Sequence, residues 1–316
     1  MASTPMFFGR KYRLTLTPPE GKALVFVVKE GMPAMDIKFD VTYARGQTAR
    51  EGTISVLGLS LNTMHTFLEL AGMTRGKAMS ELVHVKLEVG YFTNGGRMLE
   101  VLNGFAWYAT VTSPPQMWLN IKVSEYNPLG GRKVAISYSE PMQIESAVNH
   151  VISQFDEVEG KSFYVEDRTE EELLTSDFKP KLSFPNEVSL SEAIQELNRQ
   201  CSDKVQFILK TTDDDDDCRT LLAVDKDVRK STEGDIYVDG NTGLLSVTGI
   251  DAVNGCITTF INAQVEDEMS HLNLTSVLNP QANGRYYIVK KQFIGHYMGQ
   301  EWYARYFCSA REGDPE

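Results

Sequence analysis

The densest run of groups able to do acid–base chemistry is Glu166-Asp167-Arg168-Thr169-Glu170-Glu171-Glu172. Two carboxylates flanking a sugar bond can hydrolyse it, so the run raises one reading, a cell-wall hydrolase. Such a pair needs one carboxyl kept protonated by a desolvating pocket. Adjacent charges in a loop make the opposite environment, and the run reads as a solvated face or as charge at a helix start. The five consecutive aspartates Asp213–Asp217 form a second concentration. A calcium loop alternates its ligands and turns on a glycine, whereas contiguous aspartates read as a self-repelling solvated loop. The histidines His65, His84, His150, His271 and His296 are scattered over predicted helix, strand and loop, and no two form a ligand pair. Cys201, Cys218, Cys256 and Cys308 lack the CxxC spacing of a zinc site and imply no disulfide framework, so they read as free thiols. Gly-rich phosphate loops, GxSxG and HExxH do not occur. The expectation is a chain with no catalytic, cofactor-binding or metal-ligating residue and no cofactor.

Two further patterns bear on binding. Tyr286, Tyr287, Lys290, Lys291, Arg305 and Tyr306 interleave aromatic and basic side chains, the composition of a single-strand nucleic-acid face. A formal net charge of −12 opposes nucleic-acid binding through the surface as a whole. Aromatic strand residues that pack a core, with lysines guarding an edge, account for the same pattern. Trp107 and Trp118 are the residues an exposed carbohydrate- or receptor-binding platform would use.

The elements that must carry these residues are mostly strands. Lys11–Thr17, Ala23–Val28, Ile37–Tyr43 and Thr53–Leu57 read as a meander. The period then changes: Met64, Phe67, Leu68 and Ala71 fit one helix face, with Ser60 or Asn62 as N-cap and Gly72 as stop. Val83–Phe92, Leu99–Leu102, Phe105–Val111 and Trp118–Val123 return to strand, with turns at Asn94-Gly95-Gly96, Asn103-Gly104 and Ser113-Pro114-Pro115. Asn127-Pro128-Leu129-Gly130-Gly131 reads as a boundary. Beyond it lie two helix-then-strand units. One helix carries Ile144, Val148, Val151 and Ile152 and precedes Ser162–Val165; the other carries Leu190, Ala193, Ile194 and Leu197 and precedes Val205–Leu209. From Leu221 strands return at Leu244–Ile250, Cys256–Asn262 and Leu272–Leu278. A closing hairpin spans Gly284–Ser309, with Tyr287, Val289 and Phe293 on one side of its first arm and Trp302, Ala304, Tyr306 and Cys308 on one side of its second.

The expected fold is mainly β (α+β): two β-barrel-like domains, 1–128 and 221–316, flanking an α+β middle segment, 129–220. A chain of 316 residues suits two or three domains. The first residues lack the basic and apolar regions of a signal peptide, and no apolar run is long enough to span a membrane as a helix.

The order of motifs resembles the baseplate hub proteins of contractile-tailed bacteriophages. In the C-terminal part it is carried by Gly255-Cys256, Leu272–Asn279, Tyr287-Ile288-Val289, the turn Gly295-His296-Tyr297-Met298-Gly299, and Glu301-Trp302-Tyr303. In the N-terminal part it is carried by Gly58-Leu59-Ser60 before a helix, Leu87-Glu88-Val89-Gly90-Tyr91 and Leu102-Asn103-Gly104-Phe105. Two departures stand out: His296 where the family often has aspartate, and Phe260-Ile261-Asn262-Ala263 for the usual Leu-Leu-Asn-Pro. The resemblance implies a structural virion protein and not an enzyme. It implies a homotrimer that joins a sixfold tail tube to a threefold central spike and forms part of the DNA-conducting channel. The implied partners are the spike protein, a tail tube or tube-initiator protein, other baseplate proteins and phage DNA in transit. The implied location is the virion baseplate, assembled in the host cytoplasm. The alternatives are the receptor- or carbohydrate-binding tail protein and the cell-wall hydrolase.

Overall fold

In the computed structural model the chain is described for residues 9–29, 33–44, 49–71, 77–93, 97–125, 132–137, 142–159, 162–169, 173–175, 184, 186–201, 205–211, 218–225, 236–249, 255–261 and 271–311. The protein is mainly β, with a smaller α+β part, as the sequence patterns predict.

The N-terminal strands are β1 (Arg10–Thr17), β2 (Leu24–Val27), β3 (Asp36–Ala44) and β4 (Glu51–Leu57). Their period-two patterning is real: Tyr12, Leu14 and Leu16 point inward from β1, and Ile37, Phe39, Val41 and Tyr43 from β3. Helix α1 (Leu61–Ala71) follows, burying Met64, Phe67 and Ala71. Ser60 caps it, its Oγ accepting the Thr63 N–H at 3.1 Å. Then come β5 (Val83–Tyr91), β6 (Met98–Val111) and β7 (Trp118–Ser124). Asn103-Gly104 does not break β6, contrary to expectation. A Cβ on Gly104 would collide with the Ser124 carbonyl, so glycine here admits the close approach of β7 instead of marking a turn.

The middle segment holds α2 (Ile144–Glu159), β8 (Ser162–Arg168), α3 (Leu190–Gln200), β9 (Val205–Thr211) and β10 (Cys218–Asp225). All four apolar residues predicted for each helix face are buried. Ser189 and Glu192 close a reciprocal capping box at the start of α3. The strands form a three-stranded sheet in the order β8-β10-β9, β10 lying parallel to β8 and antiparallel to β9. The expected boundary at residue 220 falls within β10.

The last part contains β11 (Ile236–Val238), β12 (Leu244–Thr248), β13 (Gly255–Phe260), β14 (His271–Leu274), β15 (Gly284–His296) and β16 (Trp302–Arg311). Strand β11 has no counterpart in the sequence reading. Strand β14 ends at Leu274, and residues 275–279 form a turn: Ser276 N–H bonds Asn283 Oδ1 at 2.6 Å and Asn279 N–H bonds Ser276 Oγ at 3.0 Å.

These strands and the N-terminal ones share a single 13-stranded sheet, ordered β12-β13-β16-β15-β3-β4-β7-β6-β5-β1-β2 with β14 and β11 branching from β15. The join is the pairing of β15 with β3, in register from Lys290↔Ala44 to His296↔Lys38. Strand β15 can hold two neighbours on that edge because it is long. Residues 284–287 pair with β14 and residues 290–296 with β3. Register shifts at Tyr286/Ile288 and Ile288/Lys290 separate the two halves.

Those shifts correct the reading of the first arm. Tyr286 and Ile288 face inward, then Phe293, so Tyr287 and Val289 do not share a side with Phe293. One bulge residue changes which face every later side chain takes. The regular second arm behaves as expected: Trp302, Ala304, Tyr306 and Cys308 are all buried.

Two hydrophobic cores result. One fills the large sheet and contains residues of both β regions, among them Tyr12, Ile54, Leu102, Ile257, Ile288 and Tyr306. The other lies between the small sheet and its helices, and it borrows Met79, Leu82 and Phe105 from the N-terminal β region.

Candidate functional site

The groups with chemical potential do not converge. Among the described residues, no cluster of three or more His, Cys, Asp or Glu side chains could hold a metal ion. Glu166 and Asp167 lie on β8, where Asp167 Oδ1 accepts the N–H and the hydroxyl of Thr169. Glu170–Glu172 and Asp213–Asp217 lie outside the described residues. Three histidines have separate partners: His84 with Asn103, His271 with Arg285, and His296 with Asp36. Burial pushes the Cys201 thiol up to about 11 and the Cys308 thiol up to about 12. Neither offers a thiolate nucleophile near neutral pH.

The aromatic–basic mixture of the hairpin is internal packing. Lys290 sits over Phe307 at 5.2 Å and Arg305 over Tyr303 at 5.0 Å, while Lys291 is buried. The two tryptophans of a possible carbohydrate platform are half-buried, and each has a lysine over its ring. Lys122 lies 5.3 Å from the Trp107 ring and Lys38 lies 4.2 Å from the Trp118 ring.

What the hairpin does build is a fastened turn at residues 296–300. The Arg10 guanidinium donates to the carbonyls of His296, Gly299 and Gln300 at 3.0, 2.6 and 2.9 Å. Asp36 takes a hydrogen bond from the His296 ring at 2.9 Å and one from the Met298 N–H at 3.0 Å. Tyr12 packs edge-on against Tyr297, with centroids 5.3 Å apart, and gives its hydroxyl to the Met35 carbonyl. Burial pushes the Tyr12 phenol well above its ordinary range. The first strand, the approach to β3 and the last hairpin are thus tied at one point, which leaves Met298 exposed at the tip. The sequence pattern singles out this turn but not its long-range partners, Arg10 and Asp36.

A second tie is electrostatic and buried. Arg50 Nε donates to Glu125 Oε1 at 2.9 Å, and the Arg50 N–H to Glu125 Oε2 at 2.8 Å. Arg50 Nη1 also reaches the Val101 carbonyl at 3.3 Å, so the pair is supported by hydrogen bonds. It locks β4, β6 and the end of β7. Nothing in residue spacing identifies it.

Beside the shared apolar core, a buried carboxylate helps to dock the small unit. Glu159, at the C-terminus of α2, accepts the Met79 N–H at 2.8 Å. Burial raises its pKa, backbone donors at Met79 and Arg132 and the charge of Arg132 oppose the rise, and Glu81 adds to it.

The arrangement ties distant segments of the chain together at a few points: Arg10 and Asp36 at the hairpin turn, and Arg50 with Glu125. No curated protein matches the sequence. Among solved structures, the tail protein of Neisseria meningitidis MC58 superposes with a TM-score of 0.56 at 8% identity, covering 97% of this chain and 98% of that one. The 43 kDa tail protein of prophage MuSo2 from Shewanella oneidensis gives 0.52 at 9% identity, over 94% and 96% of the two chains. One chain of a Francisella PdpA–VgrG complex gives 0.58 at 9% identity, over 98% of this chain and 54% of that one. Identities this low show a shared fold alone. The family model described as Baseplate hub gp41 matches residues 15–308, nearly the whole chain. The protein therefore belongs to the Baseplate hub gp41 family of phage tail structural proteins.

Proposed function

We propose that three copies of this chain form the hub of a phage tail baseplate. The hub joins a sixfold tail tube to a threefold central spike and lines part of the channel through which DNA passes. The reading rests chiefly on one observation: the chain carries two β regions, N-terminal and C-terminal, joined edge to edge through β15 and β3. Three such chains supply six β units, the number needed to meet a sixfold tube from a threefold body. In this reading residues 1–128 and 221–316 are the two tube units, and 129–220 is an insert available to other baseplate proteins. The proposed partners are the spike protein, a tube or tube-initiator protein and neighbouring baseplate proteins. The net charge of −12 suits transit of DNA without retention, because like charge does not hold phosphate.

The hub has no enzymatic role in this proposal. It resides in the virion and is assembled in the host cytoplasm. The half-buried tryptophans, each with a lysine over its ring, favour the hub reading over the carbohydrate-binding alternative. Native mass measurement tests the assembly, with an expected species at three times the 35.4 kDa chain mass, alone or after adding spike or tube protein. A chain that stays monomeric with every tail component overturns the proposal. Peptidoglycan zymography is expected to show no clearing.

A further inference from the structure

We infer that the loop joining β14 to β15, with Val277 and Leu278 at its tip, is an anchor that enters an apolar, uncharged-rimmed pocket on another protein of the tail. This names a contact of the proposed hub and rests on that reading.

The first support is where the exposed apolar surface lies. Among the described residues, the three most exposed large apolar side chains are Leu278, Val277 and Tyr237, at 99%, 92% and 67%. A lone exposed leucine is ordinary, whereas these three are grouped. Val277 and Leu278 are adjacent in the loop. Tyr237 precedes Val238, whose carbonyl takes the Thr275 N–H at the root of the loop.

The second support is construction. Ser276 is buried at the base of the loop, where its N–H bonds Asn283 Oδ1 and its Oγ accepts the Asn279 N–H. A single 3-10 turn, Pro280–Ala282, follows. Tyr286 gives its hydroxyl to the Ala282 carbonyl at 2.7 Å. The loop thus buries Ser276 and Ala282 and presents the two large apolar residues between them to solvent. A tip fixed in this way binds without first losing loop entropy.

The third support is charge. Residues 271–284 contain no Asp, Glu, Lys or Arg, in a chain that is 23% charged. The flanking charges are engaged: Asp239 Oδ1 accepts the Asn241 and Thr242 N–H groups, and Arg285 reaches His271 Nδ1 at 3.1 Å.

Shape and charge together select the occupant. Nucleic acid presents phosphate, which a loop without cations does not hold. A lipid surface calls for basic residues beside the tip to meet the headgroups, and a net charge of −12 opposes an anionic membrane. A protein pocket lined by apolar side chains and rimmed by uncharged hydrogen-bonding groups complements both the convex tip and its neutral collar.

Binding of the full chain to each purified tail and baseplate protein of the same particle tests the anchor. The double variant Val277→Ser, Leu278→Ser is expected to bind one of them about tenfold or more weakly, while Leu278→Met stays near wild type. Circular dichroism and melting of the free chain should not change, because both side chains are solvent-exposed there. A benzophenone cross-linker placed at position 278 is expected to label apolar residues of the same protein. A double variant that binds every tail protein like the wild type overturns the anchor and leaves the hub standing. Cross-links confined to copies of this chain overturn another protein as occupant. So does binding to phosphatidylcholine vesicles that the double variant loses. A chain that binds no tail protein overturns anchor and hub together.

Discussion

The molecule joins distant parts of its chain in two different ways. The seam between β15 and β3 is a backbone ladder, seven residue pairs long, that makes one sheet of two β regions. The dock of the small unit is made by side chains: Met79, Leu82 and Phe105 enter its core, and Glu159 reaches back to the Met79 N–H. A ladder is indifferent to most side chains and fixes register, because a slip of one residue turns the buried face outward. A side-chain plug depends on shape and volume at a few positions, where losing one group costs most. The seam therefore gives one continuous sheet, while the dock leaves the small unit as an attached part with its own helices and sheet.

Three substitutions sharpen or break this contrast. The largest effect is expected from Phe105→Ala. Phe105 is 2% exposed, and its truncation should cost about 3–5 kcal/mol. Amide exchange should accelerate more in α2 and α3 than in β15; equal acceleration would mean that dock and seam unfold as one. Next is Gly295→Ala at the seam. Gly295 stands opposite Phe39, and an added Cβ would enter the Phe39 ring. Overpacking of this kind costs about 1–3 kcal/mol, so denaturation should shift while exchange in α3 stays unchanged. A seam as stable as before would contradict the close approach.

The smallest effect, and the one with a sign, is Glu159→Gln. Burial raises the Glu159 pKa above the ordinary glutamate value of 4.5, so the folded state holds the proton more tightly than the unfolded one. Its contribution is fully present below that value and is lost as pH rises through the raised pKa. Glutamine keeps an acceptor for the Met79 N–H and cannot ionise. The variant should gain stability relative to wild type as pH climbs from 4.5, measured by denaturation midpoints across that range. A parallel pH dependence in both proteins would remove Glu159 as the source.

The helices of the small unit were legible because a face needs only local spacing. Ile144, Val148, Val151 and Ile152, and likewise Leu190, Ala193, Ile194 and Leu197, are buried as their period predicts. Most strands were legible for the same reason. Pairing was not, since alternation says which side is buried and nothing about which strand lies alongside. That is why the parallel β8–β10 pair and the β3–β15 seam could not be foreseen. The grouping of Tyr287 and Val289 with Phe293 failed because a bulge shifts parity without any glycine or proline to mark it. Of the candidate site, the turn at residues 295–299 was visible in its glycines. Arg10 and Asp36, which fasten it, belong to the other end of the chain and had no local signal.

The seam also sets an order of events at the ribosome. A bond such as Gln292 to Asp40 spans 252 residues, so β3 waits for the last hairpin. At typical elongation rates that interval is on the order of 10 to 50 s. During it the nascent N-terminal sheet carries an open strand edge where β15 will lie, a surface on which a chaperone, or a neighbouring nascent copy, has time to act.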